Sequence, residues 1–191
     1  MKNNIGRQKI VSDNDIKLVM SKLNKRRDIV LYKLLAYTGV RIQEALDLEI
    51  DSVPVPDMSQ LVGCVRQIKS KGKTRDLYVP MNLMKELYDF IQEERNRIDT
   101  DHRYVFISEK QGEFGKQLTY REAYNNLKRV QAVVGVNFNF SDMRRSYCLH
   151  LVERGMEPSV IRILMGNMTI SPAIEFYYHS NMNAKGVLSK F

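Results

Sequence analysis

The chain has 191 residues, of which 43% are apolar and 27% charged. These proportions suit one domain with a substantial core and argue against disorder. No run of about 18 apolar residues occurs, so no membrane span is expected. The opening MKNNIGRQKI lacks the apolar stretch of a secretory signal. Cys64 and Cys148 match no zinc or redox spacing and read as reduced core thiols; together these features point to the cytoplasm. The net charge is +8 and the isoelectric point is near 9.4, which favours a polyanionic partner, most often nucleic acid.

The first helical pattern runs from Ser12 to Leu23. Ser12 or Asp13 can cap it, and Ile16, Val19, Met20 and Leu23 share one face. Asp28 to Tyr37 is a second, strongly apolar helix that stops near Gly39. Arg41 to Leu48 can form a short third helix with Ile42, Ala45 and Leu46 inward. The VPVP run at 53–56 then blocks regular structure.

From there the period changes. Leu61 to Ile68 and Thr74 to Val79 read as strands around the turn Ser70-Lys71-Gly72-Lys73. Helical spacing returns over Asn82 to Arg97, with Leu83, Leu87, Phe90 and Ile91 on one side. Tyr104 to Ile107 can form a further short strand. Thr119 and Glu122 suggest a capping box opening a helix that ends before Gly135. Ser141 to Arg154 is another helix, closed by Gly155, with Ser141 read as its N-cap. Pro158 begins one that ends near Gly166, and Ser171-Pro172 begins the last, which carries Tyr177 and Tyr178. The expected fold class is α+β: a mainly helical domain with one small antiparallel sheet.

The familiar catalytic signatures do not occur. There is no HExxH, Cys/His cluster, Walker loop or GxSxG elbow, so a metal or nucleotide cofactor has no obvious home. His102 and His150 lie in unrelated segments and read as structural or surface groups. Arginines in unusual settings remain. Arg41 opens a helix, where the dipole disfavours a cation; it either faces a bound anion or bridges to Glu44. Arg66, Lys69, Lys71, Lys73 and Arg75 put five cations in ten residues with no acid between them. Alternation would project many of them to one side of a hairpin, as a solvated tip or as a finger reaching DNA. Arg144 and Arg145 again lie in the first turn of a helix. Two arginine forks on one phosphate, a lysine for the leaving oxygen and a tyrosine for attack would make a metal-free phosphoryl-transfer site.

In order, YTGVRIQEALDL, SKGKTRDLYVP, FSDMRRSYCLHLVERG, LMGN and FYYH resemble the catalytic domain of the tyrosine recombinase (phage integrase) family. The resemblance spans about residues 12–180, and the motifs are specific only as a set. It implies a tyrosine-recombinase catalytic fold over 12–180, an N-terminal linker or tail at 1–11 and a C-terminal tail at 181–191. Residues 1–11 are too few for a second domain, so a separate DNA-gripping domain is not expected within this sequence. The tail carries Val187, Leu188 and Phe191 and is expected to dock on a neighbouring protomer.

The resemblance implies double-stranded DNA as substrate, a homo-tetramer assembled on it, and no metal or nucleotide cofactor. Arg41 and Arg144 correspond to the two arginines, Glu44 orients Arg41, and Lys71 protonates the departing 5′ oxygen. Tyr177 attacks the phosphate to give a 3′-phosphotyrosyl link, with Tyr178 as the alternative nucleophile. Ser141 stands where the family usually has the histidine of HxxR, and Asn167 where it has histidine or tryptophan. Neither is an acid–base group near neutral pH. Arg66, Lys69, Lys73, Arg75 and Arg145 are the expected DNA contacts. The leading reading is a site-specific recombinase or integrase of a mobile element. The alternatives are a catalytically degenerate, recombinase-like DNA-binding protein and a type IB topoisomerase-like relaxing enzyme.

Overall fold

The computed structural model describes residues 10–70 and 72–166. Helices α1 (Asp13–Met20), α2 (Arg26–Thr38) and α3 (Ile42–Leu46) come first, followed by the hairpin of β1 (Val62–Ser70) and β2 (Lys73–Pro80). Helices α4 (Met81–Glu93), α5 (Tyr120–Val134), α6 (Phe140–Glu153) and α7 (Pro158–Met165) complete the described part. The architecture is α+β, mainly helical with one two-stranded antiparallel sheet. Among the described residues no helix is long and apolar enough to cross a membrane.

The middle of the fold is α2. Val30, Leu31, Tyr32, Leu34 and Leu35 are at most 1% exposed, so this helix is enclosed by neighbours rather than laid against one of them. It packs on α6, α4 and β2. Tyr32 satisfies its buried hydroxyl by donating to the Ala123 carbonyl at 2.8 Å. One core runs from Val11 to Met143; a smaller one joins α6 to α7 through Cys148, Leu151, Val152, Ile161 and Met165. Val11 is fully buried, and its N–H donates to Ser146 Oγ at 2.7 Å.

Several local expectations are corrected. The 104–107 segment forms only isolated bridges, Glu49 with Tyr104 and Ile107 with Gln117. Its last carbonyl, that of Ile107, is held from α2 at 2.8 Å by the buried Arg27, which also pairs with Asp28 at 2.8 Å. Thr119 does cap α5. The Glu122 carboxylate, expected to complete that cap, instead accepts from Ser108 at 2.6 Å and Arg27 at 3.4 Å. Helix α6 begins one residue before Ser141, and its N-cap is Asn139, in a reciprocal box with Asp142. Of the two free cysteines, Cys148 is buried but Cys64 is only half-buried, on the outer side of the hairpin.

The hairpin departs furthest from expectation. Val65 pairs with Leu77 but Ile68 pairs with Arg75, so β1 carries one extra residue. Gln67 absorbs it at φ 55, and its N–H donates to Asp76 at 3.1 Å. This bulge lets Val65 and Ile68, three apart, both turn inward. It also ends the even alternation on which the run of cations depended.

Candidate active site

Helix α2 ends at Gly39, whose φ of 61 is left-handed. A Cβ there would lie 2.5 Å from Tyr147 Cδ1 and 2.9 Å from Met165 Sδ. Both conformation and space therefore demand glycine. Thr38 fastens the turn, donating to the Leu34 carbonyl at 2.6 Å and accepting from the Val40 N–H at 3.2 Å. The chain then leaves α2 in an extended step and delivers Arg41 as the N-cap of α3.

Glu44 is 4% exposed, and its carboxylate is the hub of the site. Arg41 donates to it twice, through the backbone N–H at 2.9 Å and through Nη1 at 2.5 Å. Arg75 Nη2 donates to Glu44 Oε2 at 2.8 Å. A buried carboxylate is tolerable only with such pairing. The expected Arg41–Glu44 bridge is therefore present, and Arg75, expected on the hairpin finger, joins it.

Arg144 enters from α6. Its Nη1 donates to the Gly39 carbonyl and its Nη2 to the Met165 carbonyl. Burial, then the neighbouring Arg41, pulls this guanidinium down to about 10; Glu44 opposes the shift and Arg75 adds to it. It remains charged near neutral pH.

The three arginines meet on the C-terminus of α7. Arg75 donates to the Leu164 carbonyl at 3.1 Å, Arg144 to Met165, and Arg41 to Gly166 at 3.3 Å. Three consecutive carbonyls at a helix end thus each take one guanidinium. Such carbonyls lack partners within the helix and carry the negative end of its dipole, so cations are favoured there. Gly166 ends α7 at φ 59, and a Cβ on it would lie 2.3 Å from Arg75 Cδ.

An open cleft of about 800 Å³ runs from this cluster to the hairpin turn, lined by residues that include Arg41, Glu44, Lys69 and Lys73. Of the expected site residues, the fold brings Arg41, Glu44 and Arg144 together. Ser141 is exposed in the first turn of α6. Lys71, Asn167, Tyr177 and Tyr178 lie outside the described residues.

The expected DNA contacts do not share one side. Lys69 pairs in register with Thr74, whereas Arg75 pairs with Ile68 and points inward. Arg66 and Lys73 are exposed. Lys69 is exposed too but engages Glu49 at 2.6 Å. Arg145 pairs with Asp142 at 3.0 Å. The signal for Arg75 was its parity: it alternates with the buried Leu77 and Val79 along β2. Among the described residues no group of three or more His, Cys, Asp or Glu side chains could hold a metal ion.

The chain belongs to the phage integrase family, whose sequence model matches residues 9–184. It is similar to transposase A of transposon Tn554 from Staphylococcus aureus, 24% identical over 184 residues, covering 93% of this chain and 50% of that protein. It thus spans about half the length of that curated relative. The fold matches the crystal structure of XerA recombinase, with a TM-score of 0.74 at 19% identity over 100% of this chain and 66% of the other. It also matches the site-specific recombinase XerH in a post-cleavage complex with its palindromic difH substrate. There the TM-score is 0.74 at 18% identity, over 96% of this chain and 53% of that one.

Proposed function

We propose that the chain is the catalytic domain of a site-specific DNA recombinase that cuts and rejoins strands through a covalent tyrosine ester. The observation that supports this most is the convergence of Arg144, from α6, with Arg41 and Glu44, from the start of α3. Three guanidiniums gathered around one carboxylate form a cationic seat suited to a phosphodiester.

Arg41 and Arg144 stabilise charge on the non-bridging oxygens as the phosphorus passes through its transition state. Tyr177, or else Tyr178, supplies the attacking oxygen. A tyrosine O–P bond forms, the P–O5′ bond breaks, and Lys71 gives its proton to the leaving oxygen. The tyrosine passes its own proton to a base or to water, because a free tyrosine, with a pKa of about 10, holds that proton near neutral pH. A free 5′ hydroxyl from another strand reverses the sequence and reseals the DNA. The acting form is a tetramer on DNA in the cytoplasm, with residues 181–191 docked on a neighbouring protomer.

The test is covalent trapping on nicked duplexes from the ends of the element that encodes the protein. An adduct that survives denaturation, and that Tyr177→Phe abolishes while Tyr178→Phe does not, supports the enzyme and its nucleophile. Binding in a gel shift with no adduct favours a second reading, a DNA-binding relative that has lost catalysis. The residues Ser141 and Asn167, in place of acid–base groups, are what favour that reading.

A further inference from the structure

We infer that Arg75 is a positioning residue that locks Arg41 and Arg144 into a shared anion seat, rather than one of the hairpin's DNA contacts. The inference rests on the phosphate-binding role proposed above. Arg75 touches two supports of Arg41, Glu44 and Gly166, and the helix end that holds Arg144. Its Nη2 donates to Glu44 Oε2, the same oxygen that accepts the Arg41 N–H. Its Nη1 donates to the Leu164 carbonyl, one residue before the carbonyl that holds Arg144. Its side chain lies against Gly166, whose carbonyl holds Arg41.

The side chain is 11% exposed and occupies the inward register of β2 opposite Ile68. One planar fork therefore fastens β2 to the start of α3 and to the end of α7. A lysine has the charge but only a single ammonium, so it cannot hold Glu44 and Leu164 in the same manner. Arg75 also lies four residues beyond Lys71 on the hairpin. Fastening it therefore anchors the strand that leaves the turn beside the anion seat.

The test needs no knowledge of the DNA site. The Nε–H signals of ¹⁵N-arginine-labelled protein are titrated with inorganic phosphate, with R75Q and R75K run beside wild type and melting curves recorded for all three. The Arg41 and Arg144 signals are expected to move in wild type while that of Arg75 does not. R75Q is expected to bind phosphate roughly tenfold more weakly at those two arginines, the scale of a lost charge-assisted hydrogen bond. R75K keeps the charge, folds if R75Q does not, and is expected to recover affinity only in part.

Variants that melt lower but bind phosphate as wild type does reduce Arg75 to a purely structural part and overturn the inference. So does an Arg75 signal that moves with the anion, which makes it a direct contact. A wild type in which neither Arg41 nor Arg144 responds removes the anion seat itself, a different failure that falls on the proposed function.

Discussion

Arg41 holds Glu44 from both ends of its own residue: the backbone N–H meets one carboxylate oxygen at 2.9 Å and the guanidinium meets the other at 2.5 Å. A side chain so constrained cannot turn without breaking the start of α3. The carboxylate is buried and shared with Arg75, so its removal leaves two guanidiniums facing each other. Glu44→Ala is expected to cost about 2–4 kcal/mol, since breaking a buried pair by one partner is expensive and Arg41 is partly solvated. Urea denaturation measures it; a loss below about 0.5 kcal/mol would mean that Glu44 does not organise the site.

Gly39 is tested by Gly39→Ala. The new Cβ meets Tyr147 and Met165 in a left-handed backbone conformation, and the carbonyl that holds Arg144 belongs to this residue. The expected loss exceeds about 2 kcal/mol, more than the strain of left-handed alanine alone. A thermal melt unchanged from wild type would show that the turn can relax.

The start of α6 separates a capping role from a chemical one. Asn139 accepts from the Asp142 N–H at 2.9 Å, whereas Ser141 is exposed. Asn139→Ala is expected to lower stability by about 1 kcal/mol and Ser141→Ala by less than about 0.5 kcal/mol. If the two effects were reversed in denaturation curves, the helix boundary would be wrong.

The two thiols should separate by pH. Burial pushes the Cys148 thiol from 9.0 up to about 11, despite the nearby Arg144. A raised folded-state value means the native protein holds this proton longer than the unfolded chain does. The resulting stabilisation is complete below pH 9 and is lost as pH rises from 9 toward 11. Stability measured against Cys148→Ala should therefore fall across that window, and a flat difference would contradict the burial. Near pH 8 a thiol reagent should modify the half-buried Cys64 well before Cys148.

Much of the fold was legible because local rules were sufficient. Apolar spacing placed α2 and α4, glycines marked the ends of α2, α5 and α7, and the Lys71-Gly72 turn located the hairpin. Arg41, Glu44 and Arg144 were legible as a set because their motifs occur in a familiar order. What was missed depends on pairing or on backbone atoms. The bulge at Gln67 is set by the register between strands, and it redistributes the cations that simple alternation had put on one side. Asn139 outcompeted Ser141 as cap because Asp142, three residues on, could answer it. The three carbonyls of Leu164, Met165 and Gly166 have no side-chain signature, so the common anchor of the arginines emerged only in three dimensions.

The measurement that bears most directly on the account is covalent trapping with Arg41→Ala and Arg144→Ala beside wild type, on the same nicked duplexes and with DNA affinity recorded for each. The account predicts a denaturation-resistant adduct in wild type that both variants lose while still binding DNA. An adduct that forms equally well without Arg144 would contradict the claim that these arginines form the seat of the chemistry.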